Sequence, residues 1–257
     1  MPQVGKARST ATICGHPFAA VLFDLDGVVT DTASLHAAAW KCMFDSFLEG
    51  RGSDQLFTPE DYRRCVDGRE RSDGVSTFLR SRGIDLPPGT RSDPASADSV
   101  CGLGARKDAL FRRLLTTEGV PILAGTVDVL RRLRTAGVPT AVVSASRNAA
   151  RVLEAAGLID EFDVRVDGID AERSGLPGKP DAATFLEAAR RLGVKPDRAV
   201  VVEDSVAGVR AASAGGFGLV VGLAADRVGA ELSESGADVV VNDLADLDVG
   251  VATDTPE

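Results

Sequence analysis

The sequence predicts an α/β protein: a parallel sheet covered by helices on both faces, with a helical insertion after its first strand. Three observations carry that prediction. After Gly119, short apolar runs alternate with segments of helical length, which is the signature of βαβ units. The apolar run Phe18–Phe23 stands apart from the others, separated from them by a helical and loop-like stretch over residues 33–117. Three apolar runs also end in polar residues: Phe18–Phe23 in Asp24, Thr140–Val143 in Ser144, and Ala199–Val202 in Glu203-Asp204. In open parallel sheets ligands sit beyond the C-terminal ends of the strands, so these tips mark one functional edge.

Residues 1–17 carry Lys6 and Arg8 but no apolar segment of the kind a secretory signal needs, and read as a loose lead-in. Phe18–Phe23 suits a buried strand. From Ala33 to Leu48 the pattern turns helical, with Leu35, Ala38, Ala39, Cys42, Met43 and Phe47 recurring at three- and four-residue steps. The polar, Pro- and Gly-containing segment Asp85–Ser99 reads as an exposed connection. Thereafter helices are expected at Thr126–Ala136, Asn148–Ala156, Ala182–Leu192 and Val206–Ala214, the first three closed by Gly137, Gly157 and Gly193. Strands are expected at Thr140–Val143, Phe162–Val166, Ala199–Val202, Leu219–Val221 and Val239–Val241. The α/β core thus takes residues 18–32 and 118–257, and the insertion takes 33–117. No repeat of fixed period is visible.

Composition narrows the function. A chain of 257 residues, 44% hydrophobic and 26% charged, is ordinary globular material. No apolar run approaches the roughly 20 residues needed to span a bilayer, so a cytoplasmic, monomeric protein with no membrane partner is expected. Cys14, Cys42, Cys65 and Cys101 are dispersed and form no C-x-x-C pair, which favours thiols in a reducing compartment over a zinc site or disulfide framework. A net charge of −9 without a basic stripe argues against nucleic acid as a partner. It leaves a small phosphorylated substrate open, because local cations and backbone N–H groups decide that binding.

Asp24 and Asp26 stand two apart, so a continued strand places both on one face, and Gly27 permits a sharp turn after them. Two carboxylates at one strand tip repel each other unless a cation or a shared proton relieves them. Glu203-Asp204 brings more negative charge to the same edge. That hard-oxygen set suits Mg²⁺, which takes few protein carboxylates and fills its sphere with water and phosphate. An isolated D-x-D-G can also simply begin a turn; the other loaded tips weigh against that reading.

These residues resemble the haloacid dehalogenase-like (HAD) phosphotransferase superfamily, in its β-phosphoglucomutase-like subfamily. Four motifs can be placed in order: Asp24-Leu25-Asp26-Gly27-Val28, Ser144 after Ala141-Val142-Val143, Lys179 in Gly178-Lys179-Pro180, and Glu203-Asp204-Ser205. The resemblance implies a Rossmann-like core with an α-helical cap domain. It also implies Asp24 as nucleophile forming an aspartyl-phosphate and Asp26 as general acid/base. Mg²⁺ would be held by Asp24, the Asp26 carbonyl and Asp204, with Glu203 direct or through water. Ser144 and the Ala145 N–H would grip phosphoryl oxygens, and Lys179 would offset charge.

By the same resemblance the insertion is a cap that closes over the site, hinged near Thr32. His36 would sit near Asp26 and couple closure to acid/base chemistry, although a helix histidine often only packs or faces solvent. Trp40, the single tryptophan, fits sugar stacking or cap packing. Gly68 and Arg71 fall where the family binds the non-transferring phosphate, Arg71 being a suitable bidentate ligand. Arg69 and Glu70 depart from the family's Val and Ser, and Glu70 weakens such a pocket unless it pairs with Arg69 or turns away. Lys107 matches a second cap cation, and Ser146 and Asn148 match the substrate-touching loop after the second motif. Two cap cations plus the core phosphate site point to a bisphosphorylated sugar intermediate and a β-phosphoglucomutase-type reaction. A phosphatase on the same fold is the alternative, and a non-catalytic binding protein is a third, which the intact Asp24, Asp26, Lys179 and Asp204 oppose. Dehalogenation needs neither the second aspartate nor a metal.

Overall fold

A computed structural model of the chain describes residues 11–224 and 229–251. Strands β1 (Ala11–Ile13), β2 (His16–Phe18) and β3 (Ala20–Asp24) lead into helices α1 (Ala33–Glu49), α2 (Pro59–Asp61), α3 (Arg71–Ser81) and α4 (Val100–Glu118). There follow α5 (Ala124–Thr135), β4 (Thr140–Val143), α6 (Ala149–Ala155), β5 (Val164–Val166), α7 (Gly168–Ser174) and α8 (Ala183–Leu192). The order closes with β6 (Ala199–Glu203), α9 (Val206–Ala214), β7 (Leu219–Leu223), α10 (Gly229–Glu234), β8 (Val239–Val241) and β9 (Val249–Val251). None of the helices among the described residues is long and apolar enough to cross a membrane.

The main sheet has six strands in the order β5-β4-β3-β6-β7-β8, every pair parallel. Central β3 is buried along its whole length, which is why it reads as an unbroken apolar run rather than an alternating one. Its residues still alternate between faces. Val21 and Phe23 join a core that includes Leu130 of α5 and Val152 of α6, while Ala20 and Leu22 join one that includes Phe185 of α8 and Val209 of α9. Register places the chemistry: Asp24 pairs with Val143, and Phe23 with Val202. The tips carrying Asp24, Ser144 and Glu203 therefore lie side by side.

The insertion has its own apolar core, in which Phe44 packs on Phe78 and Phe57 at ring-centroid distances of 4.1 and 5.0 Å. Two chain crossings join it to the sheet and bond to each other: Asp31 N–H donates to Pro121 O (2.9 Å) and Leu123 N–H to Val29 O (3.1 Å). The connection Asp85–Ser99 has no helix or strand before Ser99 caps α4, and Asp93 ties it together by accepting from Thr90 Oγ1 (2.7 Å) and Ser99 Oγ (2.5 Å).

Several expectations need correction. The loose lead-in does not hold over residues 11–17. There β1 and β2 form a hairpin, and β9 pairs antiparallel with β1 to make a separate sheet ordered β2-β1-β9. Its loop, Cys14-Gly15, has positive φ at both residues (49° and 77°), the primed-turn geometry that suits strand twist. Three-residue strands offer no alternation to read, and the partner β9 lies at the far end of the chain; residues 1–10 lie outside the described residues. The strand expected from Phe18 breaks at Ala19, so Phe18 ends β2 and β3 starts at Ala20. Helix α7 was not anticipated. It is too short to show periodicity, yet its Asp167/Asp170 capping box is a local start signal.

Candidate active site

Lys179 is the buried cation of the strand-tip cluster. Its ammonium donates to Asp24 Oδ1 and to Glu203 Oε1 (2.5 Å for the latter), and lies 4.8 Å from the Phe185 ring centroid. Asp24 keeps its second oxygen for the cavity it lines. Burial pushes the Asp24 carboxyl well above the usual carboxylate range; Lys179 opposes that push, and the charges of Glu203 and Asp26 add to it.

Glu203 departs from the metal-ligand role implied for it. It is fully buried, and its Oε2 accepts from Asp204 N–H (2.8 Å), Ser205 N–H (2.8 Å) and Ser205 Oγ (3.0 Å) while Oε1 takes Lys179. Its carboxylate also fills the space where a Cβ on Gly208 would fall, 1.6 Å from Oε1. Glu203 thus folds the Asp204-Ser205 turn and anchors Lys179. Asp204 points the other way, towards the Asp24-Asp26 loop: a Cβ on Gly27, whose φ is +94°, would lie 2.0 Å from Asp204 Oδ2.

Asp26 gathers residues from both sides of the crossing. Its Oδ1 accepts from Thr32 Oγ1 (2.5 Å) and its Oδ2 from Ser144 Oγ (3.2 Å). Thr32 occupies the N-cap position of α1 without capping it, because its hydroxyl is spent on Asp26. Burial alone would raise the Asp26 pKa, but His36, Thr32 and Lys107 together hold it below the usual carboxylate range.

His36 stacks on Phe111 at 3.9 Å and places Nδ1 2.5 Å from Lys107 Nζ and Nε2 3.3 Å from Asp26 Oδ1. Burial, then Lys107, lowers the His36 pKa, whereas the lowering of Asp26 draws partly on a charged His36. The geometry favours the neutral ring: an ammonium donates to the Nδ1 lone pair, leaving the proton on Nε2 facing Asp26. That Nε2 contact is not aligned as a hydrogen bond. Burial, then Arg71, pushes Lys107 down to about 7.

The cavity between insertion and sheet has a volume of about 70 Å³, and its walls include Asp24, Asp26, His36, Trp40, Gly68, Arg71, Lys107, Ala145, Ser146 and Asp204. Ligand pockets for small molecules hold roughly 300 Å³ or more, so a sugar phosphate enters only with movement of the cap. Trp40 lines this space but packs chiefly in the cap core, stacked on Phe44 at 5.3 Å and beneath Lys107. Glu70 also lines this cavity, but its carboxylate is engaged in capping α3, accepting from Ser72 N–H (2.7 Å) and Asp73 N–H (3.3 Å). Ser144, Lys179, Thr32 and Glu203 stand behind the cavity wall. Asn148 is not on that wall either; its amide donates to Asp108 Oδ1 (2.8 Å), as does Arg71 (2.6 Å). Asp108 was not singled out in the sequence, although it directly follows Lys107.

A six-stranded parallel sheet carrying Asp24, Ser144, Lys179 and Asp204 at one edge beneath a helical insertion defines a class, and the comparisons agree. The family model for haloacid dehalogenase-like hydrolase matches residues 18–216, and the chain belongs to that family. A protein named beta-phosphoglucomutase from Mycobacterium bovis is 44% identical over 96% of this chain and 97% of its own length. A beta-phosphoglucomutase structure from Clostridium difficile superposes with a TM-score of 0.71 at 25% identity, covering 89% of this chain and 92% of that one. A Rhodobacter sphaeroides CbbY variant in complex with xylulose-(1,5)bisphosphate superposes with a TM-score of 0.67 at 25% identity, covering 89% of this chain and 96% of that one.

Proposed function

We propose that the chain is a Mg²⁺-dependent phosphotransferase that interconverts β-glucose 1-phosphate and glucose 6-phosphate through an aspartyl-phosphate on Asp24 and a glucose bisphosphate intermediate. The observation that carries this reading is the pairing of a buried nucleophile with a second cationic wall. Asp24 and Lys179 lie at the strand tips, and Arg71 and Lys107 face the same cavity from the cap. A simple phosphatase needs one phosphate position; a mutase needs two. The 44% identity to a protein named beta-phosphoglucomutase supports the same assignment.

The residues fit a divalent cation. Asp24, Glu203 and Asp204 are buried at one edge with Asp26 half-buried beside them, and Lys179 is a cation bonded to both Asp24 and Glu203. Mg²⁺ takes few protein carboxylates and fills its sphere with water and phosphate. Asp24, Asp204 and the Asp26 carbonyl would hold it, with Glu203 supporting Asp204 rather than ligating. When bound it neutralises phosphoryl oxygens and draws the Asp24 pKa down.

The chain's own groups supply the rest. The free Asp24 oxygen attacks phosphorus while Lys179 stabilises charge on the other oxygen's side. Asp26, held ionised by Thr32 and Lys107, takes the proton of the attacking sugar hydroxyl, and the reverse transfer returns it to a leaving oxygen. The closed cap keeps water from the aspartyl-phosphate, and Arg71 and Lys107 receive the second phosphate.

Incubation with Mg²⁺, β-glucose 1-phosphate and a trace of the bisphosphate tests this. Glucose 6-phosphate without free phosphate is expected. Rapid release of free phosphate would replace the mutase with the phosphatase.

A further inference from the structure

Asp108 collects two of the side chains that the resemblance assigns to the substrate, Arg71 and Asn148. One oxygen, Oδ1, accepts both from Arg71 Nη2 at 2.6 Å and from Asn148 Nδ2 at 2.8 Å, while Oδ2 faces Arg112 Nη2 at 3.0 Å. Arg71 begins α3 in the cap, whereas Asn148 follows Ser144 in the core. A single acceptor oxygen shared by a donor from each side exists only when cap and core are together.

Two further features show that this arrangement is built. Asn148 occupies the N-cap position of α6, where asparagine is a favoured cap, yet its side chain does not cap the helix; it is diverted to Asp108. On α4, one turn before Asp108, Gly104 leaves room for the Arg71 stem, whose Cδ would lie 3.1 Å from a Cβ at that position. Gly104 clears the stem and Asp108 holds the head. Only one Nη of the guanidinium is bonded to Asp108, so the planar fork keeps further donors for an incoming phosphate.

We propose that Asp108 is a positioning residue for phosphosugar recognition: it orients Arg71 towards the non-transferring phosphate and, through Asn148, ties that orientation to the closed cap. This rests on the reading of Arg71 as the phosphate ligand. Arg112, about half exposed, offsets the Asp108 charge, so the carboxylate does not repel the phosphate outright.

The test is a double-mutant cycle, read as the Kd of glucose 6-phosphate for the Mg²⁺-loaded protein by calorimetry. Asp108→Ala and Arg71→Gln should each weaken binding about tenfold, the scale of one charge-assisted hydrogen bond. The double variant should be within about twofold of Arg71→Gln alone, because Asp108 acts through Arg71. Asp108→Asn keeps the acceptor oxygen and should recover binding to within about threefold of the wild type. Wild-type affinity in Asp108→Ala, additive losses in the double variant, or an Asp108→Asn as weak as Asp108→Ala would each overturn the proposal. A wild type that binds glucose 6-phosphate without isomerising overturns only the mutase reading. One that binds none overturns the Arg71 assignment and this proposal with it.

Discussion

Glu203→Gln separates a scaffold residue from a metal ligand by the sign of its effect on stability. The glutamine oxygen can replace Oε2 towards Asp204 N–H, Ser205 N–H and Ser205 Oγ, at 2.8, 2.8 and 3.0 Å. Its NH₂ must then face the Lys179 ammonium, which sits 2.5 Å from Oε1, donor against donor. Removing one partner of a buried ion pair costs about 3–5 kcal/mol. Lys179 retains Asp24, so the lower end applies, and a loss of about 3 kcal/mol is expected out of a total stability of roughly 5–15. The assay is urea unfolding in excess EDTA, reading the midpoint with the slope unchanged. Were Glu203 a metal ligand, neutralising it in the metal-free protein would relieve repulsion with Asp24 and stabilise the fold. An unchanged or raised midpoint would therefore refute the reasoning.

Three other substitutions probe the strand-tip edge and the cap wall that faces it. Gly27→Ala sets a Cβ against Asp204 at a φ of +94°, and turnover should fall about 100-fold, as expected for a catalytic group displaced by an ångström. Thr32→Val removes the 2.5 Å hydroxyl contact that helps hold Asp26 ionised; the acid limb of the kcat profile should move to higher pH by about one unit, read from initial rates. Lys107, pushed down to about 7, loses its proton as pH rises through that value, so KM for the sugar phosphate should climb above neutrality. Lys107→Arg, which stays protonated, should flatten that climb in the same KM-against-pH measurement.

The parts of the site readable in the sequence are those that follow from strand physics. Buried parallel strands appear as continuous apolar runs, so Asp24, Ser144 and Glu203-Asp204 announced themselves as polar ends of such runs. The β3–β4–β6 register then brought them level. What stayed hidden depends on where side chains turn. Glu203 and Asp204 are adjacent carboxylates, and nothing in their order shows that one folds inward to cap backbone N–H groups while the other faces Gly27. Glu70 looked hostile to a phosphate until its carboxylate was seen capping α3. Thr32 and Asn148 both hold N-cap positions and both spend their side chains elsewhere, a long-range diversion that local rules do not register. Asp108 went unnoticed because the partners that give it its place, Arg71 and Asn148, lie 37 and 40 residues away in sequence. The β1–β2–β9 sheet was missed for the same reason, its closing strand lying at the opposite end of the chain.

The claim on which the rest depends is that Asp24 carries the phosphoryl group. Loading the Mg²⁺-bound protein with acetyl phosphate, trapping the acyl phosphate with borohydride and mapping the product by peptide mass spectrometry reads it directly. Homoserine is expected at position 24 and none in Asp24→Asn. A trapped group at Asp26, or at any position in Asp24→Asn, would contradict it.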